Sequence, residues 1–317
     1  MTPANVRSSP ARDERLLAVC AALVTVIVWA SAFIGIRSAG RELAPGALAL
    51  ARLLVGSIAL GAFVLARRER LPRGRALAGT VVCGALWFGL YNVALNAAER
   101  RVDAGIAAML VNVGPILIAI LAGLVLQEGF PPRLLVGCIV SFAGVAVIGI
   151  AITRHGIGQT WGAVLCVVAA LAYAGGVVAQ KPVLRRHSGL AVTWLACTIG
   201  AVACLPYAPT LAHQLGRASG AAIAWTIYLG MVPTAIGFAL WAYALARTSA
   251  GRMGSTTYLV PPLAVLMGWA ILGEVPPLLA LPGGVLCLAG VALSRLPRRR
   301  ARKPSPAEVA LDTAAGG

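Results

Sequence analysis

Ten stretches of the chain are almost free of charge: about 16–36, 45–66, 76–98, 103–126, 134–152, 161–180, 191–208, 221–245, 252–272 and 277–294. The gaps between them are short and carry Arg, Gly or Pro. Apolar runs of roughly 18 to 25 residues, rising 1.5 Å per residue, match the hydrocarbon thickness of a bilayer. Each stretch therefore predicts a membrane-spanning helix. Ten-residue segments of alternating polarity, the mark of a membrane β-barrel, are not found. The expected fold is an all-α membrane protein of ten transmembrane helices, flanked by tails at 1–15 and 295–317.

Two of these stretches nearly repeat each other. Residues 102–132 read VDAGIAAMLVNVGPILIAILAGLVLQEGFPP, and residues 249–277 read SAGRMGSTTYLVPPLAVLMGWAILGEVPP. A shift of 146 lays Pro115 on Pro261, Glu128 on Glu274, Pro131 on Pro277, Gly137 on Gly283, and 143–146 on 289–292. Over 103–146, 13 of 44 positions match without a gap. Any two oily helices share leucines, but Pro, Glu and Gly kept at one offset point to internal duplication. Each copy holds five spans, an odd number, so the second enters the membrane upside down. Two inverted five-helix repeats, at 16–152 and 161–294, are the architecture of alternating-access carriers.

Composition agrees. Hydrophobic residues make up 59 % and charged residues 12 %, with a mean hydropathy of +0.86, against about 25 % charged in ordinary soluble domains. The first run is long enough to span and nine follow it, so it is not a cleaved signal. Leu17-Ala18-Val19-Cys20 faintly resembles a lipoprotein cleavage site, but the apolar stretch follows that cysteine.

The net charge of +17 is distributed by topology. With the N-terminus cytoplasmic, 20 of the 27 Lys and Arg residues fall on the cytoplasmic side, as the positive-inside rule requires. Both termini are thus expected in the cytoplasm, in a multi-pass protein of the inner or plasma membrane. The basic tail RLPRRRARKP follows a span and suits anionic headgroups, so no nucleic-acid partner is expected. The seven cysteines all lie in apolar runs without CxxC spacing. They read as small buried hydrophobes, and neither metal nor cofactor is expected.

Candidate chemistry gathers at the broken helices. Pro115 removes a helical hydrogen bond near Val111, and the Pro261–Pro262 pair does so near Thr257 and Tyr258. A carbonyl freed in hydrocarbon needs a partner, water or a substrate, so these helix-break residues are gating candidates. Ser255, Tyr258 and Pro262 share one helical face, as do Met109, Asn112 and Ile116. Phe88, Asn92 and Asn96 form a stripe flanked by Trp87 and Tyr91. Asn in hydrocarbon is costly unless paired or facing water. Helix-to-helix bonding is the competing role, worth about 0.6 kcal/mol per contact. Arg52 is the one charge well inside a span, roughly 10 Å from its start. It can snorkel, brace a carbonyl, or grip a carboxylate bidentately. Glu128 and Glu274 sit at helix ends as caps, and the other acids fall in loops or tails. The substrate-binding candidates are Trp29, Arg52, Tyr91, Asn92, Asn112, Ser255 and Tyr258.

Taken together, Trp29 with Arg37, Arg52, YNVAL around Asn92, NVGPILIAILAGLVLQE, LVPPLAVLMGWAILGE and the glycine helices at 137–150 and 283–293 resemble the drug/metabolite transporter superfamily. The resemblance is to proteins built from two EamA domains of five helices each, and it covers roughly 16–294. It implies a secondary transporter, expected to be an exporter, of small amphipathic metabolites such as amino acids or drugs. A small-molecule substrate and the lipid bilayer are then the partners, with room for a homodimer. The alternatives are an intramembrane enzyme or a non-transporting receptor or scaffold. Against the enzyme stand the missing HExxH, Ser-His and phosphate-loop patterns. A scaffold would not need two matched helix breaks.

Overall fold

The computed structural model describes residues 10–101, 107, 110–152, 160–272, 278 and 280–295. Every regular element among them is helical. The helices are α1 (Pro10–Ala39), α2 (Pro45–Ala66), α3 (Arg75–Glu99), α4 (Gly114–Val125), α5 (Pro132–Ile152) and α6 (Thr160–Val183). Then come α7 (Gly189–Ala203), α8 (Ala208–Leu215), α9 (Gly220–Arg247), α10 (Ala250–Thr256), α11 (Val260–Leu272) and α12 (Ala280–Arg295).

Five helices are long and apolar enough to cross a membrane: Leu16–Ala39, Pro45–Ala66, Arg75–Glu99, Val164–Val183 and Gly220–Arg247. The α7–α8 pair, bent by 50°, makes a sixth if counted as one span. Shorter apolar helical stretches are Gly114–Val125, Pro132–Val147 and Leu281–Ser294.

The surface is inverted relative to a soluble protein. Ile58, Leu65, Ile139 and Val285 stand well exposed on the outside, whereas alanines and glycines crowd the interior. Lipid accepts the former, and small side chains let backbones approach closely.

That closeness is greatest where α5 crosses α12. A Cβ built on Gly137 would stand 2.6 Å from the Gly290 carbonyl, and one on Gly144 the same distance from the Gly283 carbonyl. Gly137 and Gly283 are 146 apart, as are Gly144 and Gly290. Contacts therefore come in exchanged pairs, each helix offering the other the same two notches.

Two long helices carry π-helical turns, Gly84–Leu90 in α3 and Gly230–Gly237 in α9. Their starts are again 146 apart. Each wide turn packs on a neighbour through its first glycine. Gly84 meets Ile199 and the Ala196 carbonyl on α7, and Gly230 meets Val55 and the Arg52 carbonyl on α2.

The prolines behave differently from mid-helix kinks. Asn112 and Val113 form a turn, and α4 restarts with Pro115 in its first turn. After α10 a short 3-10 turn, Thr257–Leu259, precedes α11, whose first turn holds Pro261 and Pro262. In a first turn the missing N–H costs nothing, since no intrahelical acceptor awaits it. Glu274, Met109 and Pro277 lie outside the described residues.

Candidate functional site

Along α1 three hollows follow one another. A vestibule of about 590 Å³ touches Ala18, Val19 and Ala22. A cavity of about 70 Å³, room for a few waters, touches Trp29, Ala32, Phe33 and Ile36. A second vestibule, of about 340 Å³, touches Ile36, Arg37, Gly40 and Arg41. The cavity shares Ile36 with this second vestibule and no residue with the first. It is thus a mid-helix hollow, adjoining one end of the bundle and sealed from the other.

The seal is aromatic. Trp29 stacks on Trp241 with ring centres 4.9 Å apart and meets Phe238 at 5.1 Å. Trp87 meets Phe238 at 4.8 Å and Tyr173 at 5.2 Å. Four helices, α1, α3, α6 and α9, contribute to this cluster. Edge and offset contacts of this kind hold rings rigidly at little entropic cost.

The polar wall grows from the π-helical turns. A π turn leaves a carbonyl without its usual i+4 donor, and such turns recur at functional sites. In α3 the Asn92 amide donates to the carbonyls of Phe88 (2.8 Å) and Trp87 (3.3 Å). In α9 the Thr234 hydroxyl donates to the Leu229 carbonyl at 2.7 Å. Trp29 Nε1 donates to the Pro233 carbonyl at 3.2 Å. Thr234 Oγ1 in turn accepts from Arg52 Nε at 3.1 Å. Arg52 is 5 % exposed. Among the described residues its side chain is held through Nε alone, and it lines the cavity. A guanidinium presented this way is suited to an oxyanion, above all a carboxylate.

Of the residues singled out from the sequence, Trp29, Arg52, Tyr91, Asn92 and Asn112 meet around this cavity. Ser255 and Tyr258 lie elsewhere. Ser255 shares a hydrogen bond with Ser294 on α12 at 3.0 Å, and Tyr258 is fully buried against Val26, Leu134 and Cys138. Thr257 and Val260 face the cavity instead. The 3-10 turn advances about 120° per residue where an α-helix advances about 100°, so it sets Thr257 and Val260, three apart, on one face, while Ser255 in α10 is held by α12. Val111 and Thr257, both lining the cavity, are 146 apart. Pro115 and Pro261 are buried and do not line it, while Pro262 approaches Gly284 on α12.

Two polar residues escaped the sequence reading. Thr234 carries no signal except its place beside Pro233. Glu99, read as a loop residue, is the last residue of α3, and both of its carboxylate oxygens are buried without a hydrogen-bond partner. Glu128 does act as a cap: its Oε2 accepts from the Ala250 N–H at 2.8 Å, at the start of α10. Gln127, with φ of 54°, turns the chain so that this carboxylate reaches α10. Six of the seven cysteines are buried and all are unbridged.

The sequence model of the EamA-like transporter family matches this chain over residues 16–150 and 160–296. A "Probable terminal-alkyne amino-acid exporter" of Streptantibioticus cattleyicolor is 41 % identical over 87 % of this chain and 92 % of its own length. An uncharacterized transporter of Bacillus subtilis is 32 % identical over 85 % of this chain and 88 % of its own. A "Probable amino-acid metabolite efflux pump" of Salmonella typhimurium is 24 % identical over 86 % and 93 %. A solved crystal structure superimposes with a TM-score of 0.73 at 20 % identity, covering 90 % of this chain and 99 % of its own, a likeness of fold. Matched twice along its length and 41 % identical to a relative named as an exporter, the chain belongs to the EamA-like transporter family, of the drug/metabolite transporter type.

Proposed function

We propose that this protein exports small amphipathic amino acids across the inner or plasma membrane, by alternating access between two inverted five-helix repeats at 16–152 and 161–294. Ten spans with both termini in the cytoplasm complete the reading. The observation that carries it is the mid-helix cavity, where the guanidinium of Arg52, held among the described residues through Nε alone, stands beside an aromatic wall. The wall takes an apolar side chain, the guanidinium takes the carboxylate, and Asn92 and Asn112 supply further polar contact. The names of the relatives support an amino-acid substrate.

Support for the inverted repeats comes from the exchanged glycine pairs of α5 and α12 and from the π turns at matching positions. Support for alternating access comes from unequal ends. Lys181 donates to the carbonyls of Leu245 and Thr248, tying α6 to the end of α9 at the larger vestibule. Arg37, in the last turn of α1, makes no such bond among the described residues and borders the vestibule adjoining the cavity. Gln180, seven residues beyond Tyr173 on one face of α6, buries both of its side-chain polar atoms without a hydrogen-bond partner among the described residues. Tyr173 lines the cavity and Gln180 directly precedes Lys181 at the larger vestibule, so in the opposite state this face of α6 would join the two.

The test is counterflow in proteoliposomes loaded with unlabelled L-leucine or L-propargylglycine. The wild type should accumulate the labelled amino acid, and Arg52→Ala should lower the rate by about tenfold or more, the value of one charged hydrogen-bonding partner. Propargylamine, which lacks the carboxylate, should not exchange. No counterflow with either amino acid, or equal exchange of the amine, would overturn the reading.

A further inference from the structure

Glu99 ends α3 beside the smaller vestibule, together with Asn96, Arg37, Arg41, Arg100 and Arg101. Its two oxygens are buried, and neither accepts a hydrogen bond. No ion pair compensates it among the described residues. An ionised carboxylate in such a place is costly, so its charge must be cancelled by a proton or by a visiting cation. The groups facing it are Arg37 from α1, Arg41 from the following turn, Arg52 from α2, Tyr91, Arg100 and Arg101 from α3 and its end, and Cys166 from α6. Of these, Arg37 and Arg52 act on it electrostatically.

Asn92, Asn96 and Glu99 share one face of α3 at helical spacing. The stripe runs from the cavity to the vestibule over roughly 10 Å. Asn96 sits between, its amide donating to the Pro45 carbonyl at 3.0 Å and its Oδ1 without a partner. A zwitterion entering here meets a guanidinium at one end and an unpaired carboxylate at the other.

We infer that Glu99 is the coupling site of the carrier, holding either a proton or the ammonium group of the substrate but never both. The inference rests on the amino-acid reading above. On the side the vestibule faces, a proton from water converts the Glu99 carboxylate to the acid and displaces the ammonium. On the other side the acid returns its proton to water, and the carboxylate accepts the ammonium of the next amino acid. One proton enters for each zwitterion that leaves, carrying one positive charge inward. At that ratio each pH unit sustains about a tenfold concentration ratio of substrate.

The experiment uses the full chain in weakly buffered detergent with a pH dye, L-leucine or L-propargylglycine being added below neutral pH. The wild type should release up to one proton per amino acid bound, and Glu99→Gln should release none. Release that persists in Glu99→Gln, or binding by the wild type without release, would overturn the inference while leaving the transport reading intact. Glu99→Asp, which keeps the carboxylate, should restore release if Glu99→Gln misfolds. If neither amino acid binds the wild type, the amino-acid reading fails. Infrared spectra between about pH 5 and 9 then decide on Glu99 alone. A protonated-carboxyl band that titrates in the wild type and is missing from Glu99→Gln supports the proton site, and its absence from the wild type overturns it.

Discussion

Ser141 and Cys287, 146 residues apart, each donate a hydrogen bond to the other's backbone carbonyl, the hydroxyl at 3.2 Å and the thiol at 3.5 Å. The exchange that swaps Gly137 with Gly283 and Gly144 with Gly290 maps this pair onto itself. Backbones brought so near leave no room for a side chain. A Cβ on Gly290 would lie 2.5 Å from the Ser141 nitrogen. Gly290→Ala should therefore destabilise the fold by about 1–3 kcal/mol, read as a lower thermal midpoint in detergent. Ser141→Ala should cost only about 0.6 kcal/mol, as for other interhelical hydrogen bonds in membranes.

Thr234 positions Arg52 through a single hydroxyl. Thr234→Val keeps the shape and removes the acceptor for Nε. Substrate KM in the counterflow assay should rise by about tenfold, since hydrogen bonds to charged groups contribute about 1.5–3 kcal/mol. Arg52→Lys should not restore transport, because an ammonium cannot reproduce the planar fork. An unchanged KM in Thr234→Val would detach Thr234 from the site.

Glu128 caps α10 from the turn that follows the neighbouring α4. Glu128→Ala leaves the Ala250 N–H unpaired and should cost about 1 kcal/mol, as helix caps do. Circular dichroism with thermal unfolding checks it, and the helical signal at low temperature should not change.

Glu42, outside the spans, accepts from both the Oγ and the N–H of Ser219 at 2.7 Å. These bonds hold its carboxyl below the usual range. A lowered folded value means that the contact is fully present above the ordinary carboxylate range and is lost as pH falls through the folded value. Amide exchange at Ser219, corrected for its intrinsic rate, should accelerate as pH falls through that lowered folded value. In Glu42→Gln that acceleration should vanish.

Lys181 ties down the end of α9. Lys181→Met should loosen the larger vestibule, so that a cysteine at Thr256 reacts severalfold faster with an impermeant thiol reagent. Cys20, which is exposed, must first be changed to Ser. Equal reaction rates would show that this contact does not close the vestibule.

Much of this was written plainly in the chain. Apolar length announced the membrane, and the offset of 146 recurs in the exchanged glycine contacts of α5 and α12. Arg52, Asn92 and Trp29 stood out because a polar or bulky group in hydrocarbon demands a reason. What stayed hidden depends on local winding. Tyr258 follows 3.6-residue spacing only on paper, since it sits in a 3-10 turn, and Ser255 is taken up by its bond to Ser294 on α12. The π turns, which aim Thr234 and Asn92, have no periodic signature beyond Gly84 and Gly230. Glu99 was misread because its helix runs one residue further than its apolar run, and burial of that residue is decided by α1, α2 and α6.

The reciprocal bond between Ser141 and Cys287 has a mechanical meaning. A swap of shapes between two equivalent halves displaces every atom except those on the line about which the halves are interchanged. On the alternating-access reading proposed above, that line threads the glycine crossing and makes it a bearing at rest while the two vestibules trade open for shut.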